Sequence, residues 1–330
     1  MTIDARDKAL IELLGDGRCH SGTELAERLD ISRAAVWKHI RSLETLGLSV
    51  TALPGRGYRL LSPVEWLSEP AIRADLSPVA ANLLAGLELH DALDSTNSHL
   101  LRRAQQGAVT GSVCLAEYQR AGRGRIGRDW VSPFGANLYL SILWRFEDPT
   151  QVAGLSLAVG VSVVRALRTL GLPDISLKWP NDLLWEGAKL GGILLEVAGE
   201  AHGQCAVVIG LGLNRHVPAS AAAAIDQPWT DLGRVSQSAP PSRNLMVPAL
   251  LNELLPLLRD YSREGLAPYL PEWRAAHAHT GQPATLQVGD VRIDGHIVDV
   301  TEEGLLLLKD DEGRIRQFAS GDVRLRVKQG

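Results

Sequence analysis

The chain is 330 residues long, too long for one ordinary hydrophobic core, so two or three domains are expected. Its hydrophobic share of 45% and charged share of 22% exclude a disordered polymer. A formal charge of -4 excludes a globally basic surface, so any nucleic-acid contact must rest on one segment.

Residues 1–8 are polar and charged, without the apolar core of a signal peptide. The most apolar stretch, residues 152–164, is shorter than the roughly 20 residues of a membrane span and runs into Arg165 and Arg168. A cytoplasmic chain without membrane contact is expected, with that stretch as a buried helix. Cys19, Cys114 and Cys205 are scattered and odd in number, with no paired spacing for zinc, an iron–sulfur cluster or a redox motif, so no metal site is expected.

In chain order, Ala9, Leu10, Leu13 and Leu14 share one face of a predicted helix over residues 4–15. Ser21-Gly22-Thr23-Glu24 is a capping-box pattern ahead of Leu25 and Leu29 and opens a second helix. A third follows Ser32, with Val36, Ile40, Leu43 and Leu46 as its apolar stripe and Gly47 at its end. Residues 48–52 and 58–61 read as strands joined by Pro54-Gly55-Arg56-Gly57, a turn with a basic tip. Helix, turn, helix and wing is the economical interpretation. The acids Asp4, Asp7, Glu12, Glu24 and Glu27 precede the third helix, whereas Arg33, Lys38, Arg41, Arg56 and Arg59 cluster in helix and wing. Arg33, Trp37, Lys38, Arg41 and Arg56 are therefore the candidate DNA face. The competing reading is a small helical interaction module whose basic face is merely solvated. Residues 62–70, with two prolines, read as a linker.

Asp94-Ser95-Thr96-Asn97 opens a helix that continues through Leu100, Leu101 and Ala104, and Ser95 suits its N-cap. Capping accounts for one hydroxyl. A run of neutral donors and acceptors together with Gln119 is the set expected around an uncharged urea or amide. Residues 112–117 form a short apolar strand candidate, and beyond it Gly122, Gly124 and Gly127 satisfy the spacing of a dinucleotide fingerprint, with Glu147 where its ribose-binding acid would lie. That fingerprint needs a helix opening at the loop, and Trp130-Val131-Ser132-Pro133 continues without helical periodicity. What remains is four guanidiniums, from Arg120, Arg123, Arg125 and Arg128, suited to gripping triphosphate oxygens. An arginine-rich surface loop that binds RNA or nothing is the alternative.

Residues 175–177 lead into Lys178-Trp179-Pro180-Asn181-Asp182, and Lys189-Leu190-Gly191-Gly192 opens an apolar strand over 193–197. A lysine before two glycines suits a carboxylate or a bridging phosphate oxygen, although a lone lysine at a strand start is usually just solvated. A further strand over 206–211 is followed by an expected small-residue turn at Gly212-Leu213-Asn214. No Ser-His-Asp order, HExxH or carboxylate pair supports hydrolytic or zinc chemistry. Near the C-terminus, Val291, Ile293, Ile297, Val298 and residues 305–308 alternate with turns at Gly289-Asp290, Glu303-Gly304 and Glu312-Gly313, giving short strands.

Taken together, the winged helix-turn-helix, Ser95-Thr96-Asn97, Glu117-Tyr118-Gln119, the Gly122–Arg128 loop with Trp130, Ser132-Pro133, Asn137-Leu138-Tyr139, Lys178 to Asp182, Lys189 to Leu194 and Gly210-x-Gly212-x-Asn214 resemble the biotin protein ligases. The likeness covers essentially the whole length, and is to the bifunctional members that double as biotin operon repressor. It implies an α+β fold: an N-terminal winged helix-turn-helix (1–62), a central mixed-sheet biotin/lipoate-ligase-like catalytic domain (63–279) and a C-terminal SH3-like β-barrel (280–330). It also implies that biotin and MgATP form biotinyl-5′-AMP, and that a lysine of the biotin carboxyl carrier protein of acetyl-CoA carboxylase then takes the acyl group.

Carried onto this sequence, the resemblance places Ser95, Thr96, Asn97, Gln119, Gly122, Arg123, Gly124, Arg125, Lys189 and Gly192 around biotin. Arg125, Arg128, Trp130, Asn181, Asn214 and Trp229 fall on the adenylate, and Lys189, Arg123 and Arg125 are the implied catalytic residues. Val217 and Trp229 would close over the adenine, although the alanines from 221 to 224 depart from the bulkier valines of some members. Asp322 and Arg326 would approach the nucleotide. The resemblance further implies a homodimer, formed when adenylate is bound, on two-fold operator DNA. Two alternatives stand beside it: a biotin-sensing regulator with little ligase activity, and a lipoate or other acyl ligase, against which the ureido-type polar set and the Gly-Arg loop argue.

Overall fold

The computed structural model describes residues 3–199, 203–236, 239–321 and 323–327. Helices α1 (Ala5–Leu14), α2 (Gly22–Leu29) and α3 (Arg33–Thr45) begin at Asp4, Ser21 and Ser32, whose side chains accept from the N–H of Arg6, Glu24 and Ala35. The capping box at Ser21 is half built, because the Glu24 carboxylate turns to His20 Nδ1 at 2.9 Å and raises the pKa of that imidazole. Ile11 joins Leu10, Leu14, Leu25, Val36, Ile40 and Leu43 in the core, whereas Ala9 and Leu13 are only half-buried. Strands β1 (Val50–Leu53) and β2 (Gly57–Leu60) form the antiparallel wing. Gly57 has φ +115°, and a Cβ there would stand 1.9 Å from the His20 carbonyl oxygen. Only glycine lets the wing lie against the α1–α2 loop.

The middle of the expected linker, residues 64–68, is docked. Leu67 N–H donates to Glu117 at 2.8 Å, Trp66 packs edge-on against Phe134 at 5.3 Å, and Phe134 itself belongs to the winged-helix core. Its last two residues open a helix, since α4 (Glu69–Ala74) carries Pro70 in the first turn, and α5 (Pro78–Leu83) follows.

The central unit runs β3 (Gly86–His90), α6 (Thr96–Gln105), β4 (Ser112–Ala116), β5 (Leu138–Phe146), α7 (Leu155–Thr169), β6 (Ser176–Lys178), β7 (Asp182–Trp185), β8 (Ala188–Gly199) and β9 (Cys205–Leu213). Short helices α8 (Ala219–Ala222) and α9 (Leu232–Val235) lead to α10 (Arg243–Glu264) and α11 (Leu270–Ala276). The seven strands form one mixed sheet in the order β3-β4-β5-β9-β8-β7-β6, with β3 and β4 parallel around α6 and the other pairs antiparallel. β5 is buried on both faces: Leu138, Leu140, Ile142 and Trp144 pack in the core with α7 and α10, while Leu143 packs beneath α6. Most of the apolar run at 152–164 is a buried helix, which starts at Leu155 and is entered through Gly154 at φ +70°; residues 152–154 precede it.

Two strand readings need correction. Lys189 and its glycines lie inside β8, which already starts at Ala188, and β9 continues through Gly212, so no turn stands at 212–214. The pairing Gly192↔Gly212 and Gly191↔Leu213 carries the ladder through the glycines. At the C-terminus, β10 (Pro283–Val288), β11 (Val291–Val300), β12 (Leu306–Asp310), β13 (Ile315–Phe318) and β14 (Val323–Val327) form one antiparallel sheet in the order β13-β12-β11-β10-β14. Among the described residues no ladder joins β13 to β14, so the pairings establish a five-stranded sheet and not the closed barrel expected. The glycines of its three expected turns, Gly289, Gly304 and Gly313, all have positive φ.

One buried cation fastens these parts. Arg243 is 0% exposed; its guanidinium donates to Glu117 Oε2 at 2.6 Å, to Asn137 O at 3.4 Å and to Glu65 O. Burial pushes the Glu65 carboxyl upward, but hydrogen bonds from Ser242 and the backbone of Arg243 and Asn244 bring it below the usual carboxylate range. Arg243→Met is expected to lower unfolding free energy by about 3–5 kcal/mol in urea titrations, because it leaves Glu117 buried and unpaired. Adding Glu117→Gln should recover part of that loss.

His277, between α11 and the C-terminal sheet, stacks on Trp273 at 4.4 Å and pairs through Nδ1 with Thr280 Oγ1 at 2.9 Å. Burial, aided by His279, lowers its pKa from 6.5 to about 4. The unfolded chain therefore takes up this proton first, so the stability from neutral His277 is complete above pH 6.5 and lost as pH falls toward 4. The loss should reach about 3 kcal/mol. Equilibrium unfolding should show about 2 kcal/mol of it between pH 7 and pH 5, with a shallower slope in His277→Phe.

Candidate functional site

A single cavity gathers residues from α6, the loop after β4, the β6–β7 turn, β8 and β9. Its floor is neutral and internally hydrogen-bonded. Gln119 Oε1 accepts from Thr96 N at 2.9 Å and Thr96 Oγ1 at 3.2 Å, while Gln119 Nε2 donates to Ser132 Oγ at 3.0 Å. Ser141 Oγ lies 2.7 Å from Thr96 Oγ1 and 2.6 Å from Asn97 Oδ1, and Asn97 Nδ2 donates to Glu196 at 2.9 Å. Ser95 caps α6, as expected. Just before it, Asp94 is held down to about 2 by paired bonds from Arg102 at 2.7 and 3.0 Å, which fixes where the helix begins. A rigid array of amide and hydroxyl groups suits a neutral polar ring.

The rim is cationic. Residues 122–130 fold back on themselves: Arg123 bridges to Asp129, and Arg125–Gly127 makes one 3₁₀ turn with Ile126 at φ +55°. No α-helix opens at the loop, which removes the dinucleotide reading. Arg123 pairs with Glu196 at 2.9 Å; Arg125 reaches Asn181 at 3.5 Å and Gly321 O at 2.9 Å. Lys189 Nζ lies 2.7 Å from Asp182 and 5.6 Å from the Trp130 ring centroid. Burial pushes Lys178 below the usual lysine range against the pull of Asp182, with Lys189 and Arg128 adding to the lowering. Such clustered cations stabilise an anion that replaces their own carboxylate partners.

Glycines shape the space between floor and rim. A Cβ at Gly210 would lie 2.1 Å from Asn97 Oδ1, one at Gly212 would lie 2.5 Å from the Trp130 ring, and one at Gly122 would lie 2.3 Å from Trp130 O. Gly192 leaves room for both Lys189 and Trp130. The indole N–H of Trp130 is buried with no hydrogen-bond partner.

Ser95, Thr96, Asn97, Gln119, Arg123, Gly124, Arg125, Arg128, Trp130, Asn181, Lys189 and Gly192 all border the cavity. Gly122, Asn214 and Trp229 do not. Gly122 gives clearance behind the loop, Asn214 bonds Thr230 O at 3.1 Å, and Trp229 lies under the Arg234 guanidinium at 4.0 Å. Val217 is buried, its N–H on Asp231 at 2.8 Å, so it too stands away from the cavity. Arg326 is at the cavity, and Asp322 lies outside the described residues. Sequence reading passed over Ser141 and Glu196. Ser141 carried a signal, as the lone small polar residue in the apolar run of β5; Glu196 carried none, since its partners Asn97 and Arg123 are remote in sequence.

The second candidate surface is on α3 and the wing. Arg33, Lys38, Arg41 and Arg56 are exposed, as is Trp37 at 55%, with Arg41 lying 5.4 Å from its ring centroid. The acids do not all stay on the surface: Asp7 is buried, bonded to His39 at 2.7 Å and Ser42 at 2.8 Å, and so ties α1 to α3. No helix among the described residues is long and apolar enough to cross a membrane.

Three family models match in tandem: an HTH domain over residues 6–59, the biotin/lipoate A/B protein ligase family over 89–214 and the biotin protein ligase C-terminal domain over 279–326. The bifunctional ligase/repressor BirA of Escherichia coli is 40% identical over 96% of both chains, and that of Bacillus subtilis 31% over 96% of this chain and 98% of its own. A biotin–acetyl-CoA-carboxylase ligase of Mycobacterium tuberculosis is 38% identical over 69% of this chain and 85% of its own. A biotin protein ligase from Aquifex aeolicus, solved in complex with biotin and ATP, superposes with a TM-score of 0.62 at 26% identity, covering 74% of this chain and all of that one.

Gly210→Ala is expected to push Asn97 off Ser141 and Glu196, lowering stability by about 1–3 kcal/mol in urea unfolding and abolishing the heat of ligand binding. Gly86→Ala, where a Cβ meets open space, should stay within about 0.5 kcal/mol of the parent.

Proposed function

The chain belongs to the family of bifunctional ligase/repressors, and we propose that it activates biotin with MgATP, biotinylates a carrier protein and represses the genes of biotin synthesis. The observation that carries the reading is one cavity with a neutral hydrogen-bonding floor and six cations around it, Arg123, Arg125, Arg128, Lys178, Lys189 and Arg326.

In this reading Ser95, Thr96 and Gln119 bond the ureido ring, Asn97 and Ser141 hold that set in place, and Gly122, Gly124 and Gly192 let the loop and β8 come close. The biotin carboxylate oxygen attacks the α-phosphorus of ATP, the bond to the β-phosphate oxygen breaks, and pyrophosphate leaves. Lys189 exchanges Asp182 for the substrate carboxylate, while Arg123 and Arg125 neutralise the departing charge; Arg128, Trp130, Asn181 and Arg326 border the nucleotide. Asn214 and Trp229 act from behind, since Trp229 pairs with Lys189 across a bridge in the backbone. A carrier lysine amine then attacks the acyl carbon, AMP leaves, and the amine proton passes to solvent. An adenylate carries its own leaving group, so positioning and charge supply most of the rate.

The carrier is the biotin carboxyl carrier protein of acetyl-CoA carboxylase, and the setting is the cytoplasm. The division into residues 1–62, 63–279 and 280–330 is supported by the tandem family matches. Arg33, Trp37, Lys38, Arg41 and Arg56 face operator DNA in a homodimer formed on adenylate binding, whose half-sites mirror its two-fold axis.

Pyrophosphate release should require biotin, and Lys189→Ala or Arg125→Ala should slow it by about 10²–10³ with the fold intact. An unchanged rate would remove those two residues from the mechanism. In gel shifts, operator binding should strengthen with biotin and MgATP, and Arg56→Ala should weaken it while lowering its salt dependence. Retention that ignores biotin would refute the coupling.

A further inference from the structure

On the face of the sheet beneath α6, away from the cavity, four ligand-type side chains converge from three elements. His90 and Glu88 alternate on β3, Cys114 pairs beside Glu88 on β4, and His99 descends from α6. Ligand atoms of His90, His99 and Cys114 all lie within 4.8 Å of one another. Glu88 Oε2 bonds both imidazoles, His99 Nε2 at 2.7 Å and His90 Nε2 at 3.2 Å, and the two rings stand 4.7 Å apart. Cys114 is buried at the bottom, while the His90 and Glu88 side chains are 30% and 32% exposed, which leaves a way in from the sheet edge.

We propose that Glu88, His90, His99 and Cys114 form a binding site for a borderline-soft divalent metal, with zinc as its physiological class. Tetrahedral zinc with bonds of about 2.0–2.3 Å spaces its ligands roughly 3.3–3.6 Å apart, so side-chain torsions close the set. Two imidazoles, a thiolate and a carboxylate are the donors such an ion takes, and magnesium or calcium does not. Metal entry breaks the two Glu88–imidazole bonds and expels the thiol proton to solvent. The edge strand β3 is thereby clamped to α6 three residues beyond Thr96. Cysteine spacing could not reveal the site, because its ligands are brought together only by the β3–α6–β4 crossover. The site stands independently of the ligase reading.

The test is equilibrium dialysis of the full-length chain against Co²⁺ as a spectroscopic probe, then against Zn²⁺, in a weak chelating buffer. One cobalt per chain is expected, with tetrahedral visible bands and a near-ultraviolet thiolate-to-metal band that Zn²⁺ abolishes. Cys114→Ser should lose the thiolate band, and His90→Gln should weaken binding about 10–100-fold. Saturating zinc should raise the melting temperature of the parent and not of His90→Gln, whose partly exposed position preserves the fold should Cys114→Ser not refold. Substoichiometric binding, a spectrum without the thiolate band, or a band that survives in Cys114→Ser would overturn the proposal. Loss of binding in His39→Gln instead would overturn it too, moving the ion to the Asp4–Asp7–His39 cluster.

Discussion

A guanidinium with no exposure to solvent holds the protein's parts in register. Arg243, the first residue of α10, reaches the backbone of the interdomain segment at Glu65, the carboxylate that follows β4 at Glu117 and the carbonyl that precedes β5 at Asn137. Buried ion pairs contribute little net stability, because desolvation offsets most of the attraction, but breaking one leaves a charge stranded. The arrangement therefore constrains geometry. Gln119 lies two residues beyond Glu117, and Tyr139 and Ser141 lie just beyond Asn137, so the cavity floor inherits its spacing from this contact. The Asn137 side chain extends it to the exit of β9, accepting from Arg215 and His216 at 3.0 and 3.1 Å.

The same segment couples the two candidate functions physically. Ser132 accepts from Gln119 inside the cavity, Pro133 O accepts from Tyr139, and the next residue, Phe134, is buried in the core of the winged helix with its N–H on Leu46 O. Three consecutive residues thus run from the cavity floor to the DNA-binding unit. Lys8 adds a second link by pairing with Asp91 at 2.9 Å and lying over the Trp66 ring. In the proposed reading, ligand binding at the arginine loop acts on the DNA-binding unit through this segment, which is packed at both ends.

What was legible in sequence was local. Ser21, Ser32 and Ser95 announced three helix starts, because an N-cap needs only its own neighbours. The clustered motifs around 95–97, 119–130, 178–182 and 189–192 named most of the cavity lining. The rest required contacts between remote segments. β5 is an unbroken apolar run from Leu138 to Leu143 save for Ser141, and such a run has no period to separate strand from helix. α10 carries Pro248 and Pro256 and still runs unbroken over its 22 residues, because its buried face of Met246, Leu250, Leu254 and Leu258 outweighs local propensity. Gly212 looked like the start of a turn and Gly210 like an ordinary strand residue, and their actual role, clearance for Trp130 and Asn97, depends on side chains more than 80 positions away.

The chemistry asked of the cavity is modest: hold a neutral ring, screen a carboxylate, and stabilise a departing pyrophosphate. Fixed amides and clustered cations do this without a general acid or base. The most direct test is intact-mass spectrometry of a biotin carboxyl carrier domain incubated with the protein, biotin and MgATP. The account predicts one added biotinyl group on the carrier, lost when ATP or biotin is withheld. A carrier that stays unmodified, with no adenylate formed, would contradict it.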